Sequence, residues 1–149
     1  MFKRSATSSG AVSPPEDTST FDIHIPFVDH LGLQLLEKSD GRTLIGFDPR
    51  PEHLNSWNGV HGGAIMTLLD VALSSAARSL DPACIGAATV EMKANFLAAA
   101  AGSVFAEGFA QRAGRSLIYA EGSVRDAAGS VFAKASGTFK LVYAKGTGQ

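Results

Sequence analysis

Hydrophobic residues recur along this chain with two different periods, which predict one long helix among several strands. Over residues 62–80 the apolar side chains fall on one stripe at the i, i+3, i+4 spacing of an α-helix. The stripe consists of Ile65, Leu68, Leu69, Ala72 and Ala76. Asp81-Pro82 ends this helix, because the residue before a proline is biased away from helical backbone angles.

Alternating apolar and polar positions elsewhere predict strands. Residues 87–97 alternate, so that one set of side chains faces one side of a sheet and a second set faces the other. The first set is Thr89, Glu91, Lys93 and Asn95, and the second is Val90, Met92, Ala94 and Phe96. Three further strands are predicted after short turns rich in glycine and polar residues, over residues 103–112, 117–125 and 130–142.

The N-terminal part of the chain predicts shorter elements. Two strands within residues 33–47 flank Asp40-Gly41, a dipeptide typical of a tight hairpin. Pro26 suits the first turn of a short helix, where its missing N–H costs no hydrogen bond. Consecutive strands with short turns form antiparallel sheets. The predicted fold class is therefore α+β, with one long helix wrapped by a curved antiparallel sheet of five or six strands.

Length and composition fit a single domain over residues 21–149. The chain has 149 residues, of which 45% are hydrophobic and 18% are charged, so a substantial core can be buried. Residues 1–20 are rich in Ser, Thr and Pro and predict a disordered N-terminal tail.

Charge, cysteine content and hydropathy exclude several classes of function. The formal net charge is −1 and no basic stripe is present, which gives nucleic-acid binding no electrostatic basis. The single cysteine, Cys84, fits a reducing compartment and predicts a buried, inert thiol. No apolar run approaches the ~20 residues of a membrane span, and no secretory signal is visible, so we expect a cytoplasmic protein without a membrane partner.

Chemically useful groups concentrate in residues 55–70. The pattern N-x5-H-G-G-x6-D combines Asn55, His61, Gly62, Gly63 and Asp70. The first N–H groups of a helix carry partial positive charge, and glycines let a substrate approach them closely. Such N–H groups can stabilise a developing oxyanion in acyl transfer. A carboxylate can then activate water or attack the carbonyl directly.

Spacing restricts how these groups cooperate. Gly62 and Asp70 are eight residues apart, which is ~12 Å along a helix axis. An aspartate side chain cannot cover that distance, so Asp70 must come from a second subunit if both groups serve one reaction. A two-fold dimer would then form two equal sites across its interface. The small residues near Asp70 on a helical projection, Gly63, Ser74 and Ala77, favour close approach of another surface.

Simpler interpretations of the same residues stay open. A Gly-Gly pair often forms only a tight turn, Asp70 can lie on a solvent-facing edge, and Asn55, Asn58 or His61 can make turns or cap the helix. Other chemistries lack their motifs. There is no G-x-S-x-G elbow, phosphate-binding loop or dinucleotide fingerprint. The four histidines include no H-E-x-x-H pattern, so no metal site is predicted.

The motif in residues 55–70 resembles that of the hotdog-fold acyl-CoA thioesterases of the phenylacetate-pathway (PaaI-like) type, in the 4-hydroxybenzoyl-CoA thioesterase superfamily. Pro26-Phe27 followed by Leu31-Gly32, the strand around residues 89–96, and Gly114-Arg115-Ser116 also resemble that family. The resemblance covers roughly residues 22–142.

The resemblance implies a hotdog fold and an acyl-CoA thioesterase, which hydrolyses an acyl- or aryl-acyl-CoA to free acid and coenzyme A. It implies that the Gly62 N–H polarises the carbonyl, that Asn55 places the carbonyl or the water, and that His61 supports this geometry. Asp70 of the facing subunit is then the general base or the nucleophile, and Thr89 orients the water.

The same resemblance implies the partners. Subunits join edge to edge into homodimers, and pairs of dimers often form homotetramers. Coenzyme A is part of the substrate, and no separate cofactor is implied. Gly63 is a candidate contact for the substrate, and Arg115 and Ser116 are candidate contacts for the CoA phosphates. An ordinary exposed turn explains Arg115 and Ser116 equally well.

The sequence leaves alternatives for the identity of the acyl group and for the activity itself. Apolar side chains that can line an acyl pocket are Trp57, Phe27, Met66 and Leu73, and they suit an aryl-acetyl or a fatty chain. The second hypothesis is a non-catalytic acyl-CoA- or lipid-binding hotdog protein, a sensor or an assembly subunit, because a fold does not fix function. A hotdog dehydratase is a third option that fits the histidine and acid placement less well.

Overall fold

The computed structural model describes residues 20–146. Two helices and six strands are arranged in one antiparallel sheet with the order β1-β2-β4-β5-β6-β3. The elements are α1 (Pro26–Leu31), β1 (Gln34–Ser39), β2 (Arg42–Phe47), α2 (Gly62–Arg78), β3 (Gly86–Phe96), β4 (Val104–Ala113), β5 (Leu117–Arg125) and β6 (Val131–Val142), with a 3-10 turn at Pro51–His53. The predicted α+β class and the long helix with its sheet are confirmed. The predicted tail lies outside the described residues except for Thr20.

The predicted hydrophobic stripe is the face that α2 turns toward the sheet. Ile65, Leu68, Leu69, Ala72 and Ala76 are all buried. The helix ends at Arg78, two residues earlier than predicted, because Ser79 forms its C-cap. The Ser79 hydroxyl donates to the Ala76 carbonyl and accepts a hydrogen bond from the Gly41 N–H, which ties the helix end to the β1–β2 turn.

The β1–β2 turn has the predicted hairpin geometry. Asp40 and Gly41 both have positive φ values, of 43° and 82°. Two central residues with positive φ match the twist of the flanking strands, and this is why Asp-Gly is favoured there.

Glycines let the sheet curve closely around α2. Gly108 on β4 lies directly opposite Gly122 on β5. A side-chain carbon on Gly108 would stand 2.6 Å from the carbonyl oxygen of Ala72, and one on Gly122 would stand 2.1 Å from that of Glu107. Thr43 of β2 donates a 2.7 Å hydrogen bond to the same Ala72 oxygen. The helix therefore lies almost against the strand backbone at its midpoint.

A β-bulge in β3 corrects one prediction of the sequence pattern. Thr89 pairs with Phe139 and Glu91 with Thr138, so Val90 is an extra residue without a partner on β6. An extra residue reverses the alternation of side chains on its strand. Thr89 therefore faces the helix side, as the fully buried Phe139 does. The expectation that Thr89 shares a face with Glu91, Lys93 and Asn95 is wrong.

The two edges of the sheet differ. The N-terminal segment lies along β1, where the Thr20 hydroxyl accepts a hydrogen bond from the Leu35 N–H. Asp22 fixes this segment by ion pairs to Lys38 and Arg78. Beside β3, on the other edge, no described strand pairs with its outer side. Large apolar side chains are exposed on or just beyond β3, and these are Ile85, Val90, Phe96 and Leu97.

Candidate active site

The structure divides the predicted catalytic residues into two groups within the chain. Asn55, His61, Gly62 and Gly63 lie in the loop before α2 and in its first turn. Asp70 lies two turns further along, where it contacts Thr89 of β3. Each group is built by a different piece of local structure.

The loop before α2 is closed by hydrogen bonds that engage one end of the Asn55 amide. Asn55 Oδ1 accepts from the N–H groups of Trp57, at 2.9 Å, and Gly59, at 3.0 Å. Asn58 adopts a left-handed conformation with φ of 60° at the tip of this loop. Since two backbone donors fix the amide orientation, the Asn55 NH2 group is directed away from them. No group within residues 20–146 accepts a hydrogen bond from it.

His61 caps α2 and leaves one N–H of the helix unused. Its Nδ1 accepts a 2.9 Å hydrogen bond from the Gly63 N–H. Its carbonyl accepts from Ala64 and Ile65. The Gly62 N–H has no acceptor in the described part of the chain. The first turn of the helix therefore presents a single free donor at its positive end, beside Asn55.

The buried residue His53 holds the backbone at the start of α2 in place. The carbonyl oxygen of His53 accepts a 2.8 Å hydrogen bond from the His61 N–H. Its Nδ1 accepts from the Arg50 N–H at 3.0 Å, and its ring packs against Phe47. Burial lowers the pKa of His53, because the charged form is poorly solvated there. The hydrogen bond from the Arg50 N–H requires a His53 Nδ1 without a proton, and a neutral ring provides one.

The second group is a carboxylate held by one hydroxyl. Thr89 Oγ1 donates a 2.6 Å hydrogen bond to Asp70 Oδ1. Asp70 is half-buried, and no arginine, lysine or histidine of the described chain forms an ion pair with it. Its second oxygen is therefore available to a ligand. The bulge at Val90 is what turns the Thr89 hydroxyl toward the helix, and the alternation pattern alone does not show this.

The two groups lie at different points along β3. The Phe96 ring packs against Gly62, where an added side-chain carbon would stand 3.6 Å from Phe96 Cε1. Thr89, which holds Asp70, is seven residues earlier on the same strand. That separation is ~23 Å in an extended strand. One subunit therefore does not bring its own Asp70 to its own Gly62.

An apolar pocket of about 380 Å³ lies beside the Gly62 group. Asn55 and Trp57 line it together with the following apolar residues and glycine: Val60, Gly62, Ile65, Phe96, Leu97, Ala98, Ala99, Ala100, Phe132 and Ala133. No charged side chain is among them. Trp57 lines the pocket as expected and is 86% exposed at its mouth.

The other predicted pocket residues do not line it. Leu73 is fully buried in the core beneath the sheet, and Phe27 and Met66 do not reach the pocket. Phe132 and the Ala98–Ala100 run line the pocket although they were not predicted to do so. The alanines directly follow Phe96 in the sequence, whereas Phe132 reaches the pocket through strand pairing, since its carbonyl oxygen accepts from the N–H groups of Leu97 and Ala98. The small residues near Asp70 on the helical projection, which were expected to favour close approach of another surface, are only partly accessible. Ala77 is fully buried, whereas Gly63 is exposed and Ser74 is half-buried.

The candidate phosphate contacts lie in the exposed β4–β5 turn. Arg115 and Ser116 form no hydrogen bond or ion pair with another described residue. Leu117 pairs with Lys140, and Lys140 pairs with Ala88. The turn is thus at the end of the sheet where Thr89 and Asp70 lie, and not at the Gly62 end.

Two further features bear on the range of possible functions. Within residues 20–146 no three His, Cys, Asp or Glu side chains cluster as a metal site would require. None of the helices in that range combines the length and hydrophobicity of a bilayer span. Cys84 is buried as predicted, with its Sγ 3.6 Å from the Arg78 carbonyl oxygen.

Comparison with known proteins identifies the family. Residues 58–133 match the model of the thioesterase superfamily, and the chain belongs to that superfamily. It is 29% identical over 116 residues to a protein of Saccharolobus solfataricus named as a candidate esterase, covering 77% of this chain and 82% of that protein.

Solved structures share the fold. The phenylacetic acid degradation protein PaaI from Thermus thermophilus, solved as a mutant, superposes with a TM-score of 0.70 at 22% identity, covering 79% of this chain and 99% of that one. The smu.793 protein of Streptococcus mutans, solved bound to acetyl CoA, gives a TM-score of 0.70 at 20% identity, with 82% and 94% covered. The hotdog fold predicted from the sequence resemblance is confirmed, and the roles of the individual residues stay predictions.

Proposed function

We propose that this protein hydrolyses the thioester bond of acyl-CoA molecules at two equal sites, each shared between the subunits of a homodimer. The observation that carries the proposal is the free Gly62 N–H at the start of α2, on one subunit, together with a hydroxyl-bound carboxylate, Asp70, displaced along the open edge of the sheet. Membership of the thioesterase superfamily supports the reaction class.

The dimer uses the outer edge of β3. This edge has free backbone donors and acceptors and exposed apolar side chains, which native proteins usually cover or pair. The N-terminal segment already occupies part of the β1 edge. Antiparallel pairing of β3 with its copy would extend the sheet across the dimer.

The register of that pairing follows from the two groups. If the two-fold axis passes between Met92 and Lys93, Thr89 of one subunit lies opposite Phe96 of the other. Asp70 is bound to Thr89, and Phe96 packs on Gly62. The pairing would therefore bring Asp70 of each subunit next to the Gly62 N–H of its partner. Gly62 and Asp70 are too far apart to act together within one chain, but they would be neighbours across the dimer interface.

The chemistry assigns a role to each group. The thioester carbonyl accepts a hydrogen bond from the Gly62 N–H, where the helix end stabilises the charge that develops on its oxygen. The free NH2 of Asn55 donates to the carbonyl or to the water. In one route Asp70 takes a proton from water as the water attacks, the carbon–sulfur bond breaks, and that proton passes to the coenzyme A thiolate. In the other route Asp70 attacks the carbonyl carbon itself, and breaking of the carbon–sulfur bond leaves an acyl–aspartyl anhydride and the thiolate. Water then hydrolyses the anhydride, which releases the acid, restores the carboxylate and supplies the proton for the thiolate.

The pocket beside Gly62 suits an uncharged, apolar acyl group. Its lining offers aromatic and aliphatic side chains and one amide, that of Asn55. A carboxylate on the acyl chain would be desolvated there without a partner, which is costly. Coenzyme A would extend past the partner's Asp70 toward the β4–β5 turn of that same partner subunit, where Arg115 and Ser116 are exposed. Acetyl CoA bound to the Streptococcus mutans neighbour is consistent with a CoA ester as ligand.

The deciding experiment is incubation of the purified protein with a panel of aliphatic and aryl-acyl-CoAs, followed by detection of the free thiol. We expect thiol release with apolar acyl groups and much less with a dicarboxylic acyl-CoA. The Asp70→Asn variant should keep its mass and melting temperature but lose roughly 10²- to 10⁴-fold in kcat, the usual contribution of such a group. Binding without thiol release across the panel would favour the non-catalytic binder instead.

A further inference from the structure

His53 is a buried ionisable side chain at the start of the loop that leads into α2. It is 5% exposed, and it is the last residue of the 3-10 turn Pro51–His53. The His61 N–H donates a 2.8 Å hydrogen bond to the His53 carbonyl, which closes the loop over residues 53–61. The backbone of His53 is therefore one of the points that hold the start of the helix.

The two ring nitrogens of His53 are in different situations. Nδ1 accepts a 3.0 Å hydrogen bond from the Arg50 N–H, so the proton of the neutral ring is on Nε2. Nε2 is buried and has no hydrogen-bond partner within residues 20–146. A buried donor without a partner opposes folding. The polar contribution of this ring to the structure therefore comes from Nδ1 alone.

The Nδ1 contact connects the ring to the free N–H of the candidate active site. Acceptance from the backbone N–H three residues earlier is the role that Glu or Gln has in a capping box, and it holds the 3-10 turn closed. The His53 carbonyl is thereby placed to accept the His61 N–H. His61 is in turn the N-cap of α2, where its ring accepts the Gly63 N–H and leaves that of Gly62 free. The direction of the Gly62 N–H therefore depends on the His53 ring.

We propose that His53 is a positioning residue of the active site, whose neutral ring holds the start of α2 in the geometry in which the Gly62 N–H binds the carbonyl oxygen of the substrate. This role rests on the proposed thioester hydrolysis. His53 itself does not line the pocket beside Gly62, so it acts through the backbone and not by contact with the acyl group.

Protonation of His53 would break the contact on which this role depends. A proton on Nδ1 would face the Arg50 N–H, so two donors would meet where a donor and an acceptor now do. Burial lowers the pKa of His53, and nearby Arg50 and His30 lower it further, whereas Glu52 raises it. Phe47, the β2 residue that packs on the ring, is uncharged.

The sign of the pH dependence follows from that lowered pKa. Folding favours the neutral ring, so its contribution to stability is fully present above the ordinary histidine pKa of 6.5. The contribution is lost as the pH falls through the lower value in the folded protein. The geometry of the Gly62 N–H, and with it kcat, should be lost over the same range.

The first experiment measures kcat and KM for thiol release against pH in two variants of His53. His53→Leu removes the acceptor, and we expect kcat at neutral pH to fall about tenfold with little change in KM, because a misplaced donor impairs the transition state more than binding. His53→Gln keeps an acceptor that does not titrate. It should retain most of the neutral kcat and lose less activity in acid than the wild type.

Two controls separate positioning from simple stabilisation. The melting temperature of each variant is measured beside its kcat. A purely structural role would lower the melting temperature of His53→Leu and leave kcat per folded molecule as in the wild type. His24→Gln changes an exposed histidine beside Asp29 and should reproduce the wild-type pH profile.

The second experiment does not depend on hydrolysis. In long-range ¹H–¹⁵N NMR spectra of the histidine rings, the His53 signals are those absent from His53→Gln. We expect them to show a proton on Nε2, none on Nδ1, and a pKa below 6.5. The backbone amide signals of Arg50 and Gly62 should each contain a step with the same midpoint, and that step should be absent from His53→Gln.

Wild-type kcat in His53→Leu, an acid loss in His53→Gln equal to that of the wild type, or a Gly62 amide without the His53 step would each overturn the proposal. A wild-type protein that released no thiol from any acyl-CoA would contradict the hydrolase instead. The NMR titration would then still decide whether His53 holds the Gly62 N–H.

Discussion

The Thr89 hydroxyl donates a 2.6 Å hydrogen bond to Oδ1 of Asp70, which joins the open edge strand of the sheet to the middle of α2. The contact exists because the bulge at Val90 turns Thr89 toward the helix. It fixes one carboxylate oxygen and leaves the other for water or substrate. In the proposed dimer, this carboxylate faces the helix start of the neighbouring subunit.

Removal of the Thr89 hydroxyl should impair turnover more than binding. In Thr89→Val the carboxylate keeps its charge but loses the group that orients it, so we expect kcat to fall about fivefold, as loss of one hydrogen bond of ~1 kcal/mol implies, with little change in KM. Thr89→Ser keeps a hydroxyl and should retain most of the activity. Equal kcat values for the valine and wild-type proteins would remove Thr89 from the site.

Mixed dimers test whether the site is shared. Gly62→Pro removes the N–H at a position where proline suits a helix, and the extended backbone of His61, with ψ of 136°, is compatible with a following proline. Homodimers of Gly62→Pro and of Asp70→Asn should both be nearly inactive. A mixed dimer has one site with both groups intact, so refolding the two variants together should recover about a quarter of wild-type activity at random pairing.

The contrary result for the mixed dimers is equally informative. If Asp70 and Gly62 served one site within a subunit, every subunit of the mixture would carry one defect and no activity would return. The melting temperature of Gly62→Pro, measured beside the wild type, controls for damage to the helix start.

Trp57 should govern the apolar part of substrate binding. It is 86% exposed in the subunit but lines the pocket mouth, so an acyl group would cover its ring. Burial of an aromatic side chain contributes substantially to binding. We expect Trp57→Ala to raise KM for the best long or aryl-acyl-CoA about tenfold, a loss of ~1.4 kcal/mol. The KM for acetyl-CoA, measured in parallel, should change little, and an equal effect on both substrates would exclude contact with the acyl group.

The close packing of β5 against its neighbour β4 predicts a stability effect at Gly122. A methyl group there would stand 2.1 Å from the Glu107 carbonyl oxygen, so the backbone must move. We expect Gly122→Ala to lower the free energy of unfolding by about 2 kcal/mol, within the range seen for overpacked positions. Gly86→Ala is the matched control, since its nearest neighbour would be 4.0 Å away. Urea denaturation of both variants compares them, and similar midpoints would argue against the steric account.

The sequence determined the elements, and it supplied most of the residues from which the candidate site is proposed. The spacing of Ile65, Leu68 and Leu69 marks the buried face of α2, and Asp40-Gly41 marks the hairpin, because both signals are local in the chain. The eight-residue separation of Gly62 and Asp70 already required two subunits for a shared reaction, since helix rise is constant.

Only the tertiary structure decided the rest, because it depends on contacts between distant residues. The pairing of β3 with β6 creates the bulge that turns Thr89 to Asp70, which strict alternation placed on the other face. The same pairing brings Phe132 beside Phe96 to form the pocket, while Leu73 packs in the core instead. Strand order leaves β3 as the open edge. None of these relationships has a local signal, since each is set by which strands lie next to each other.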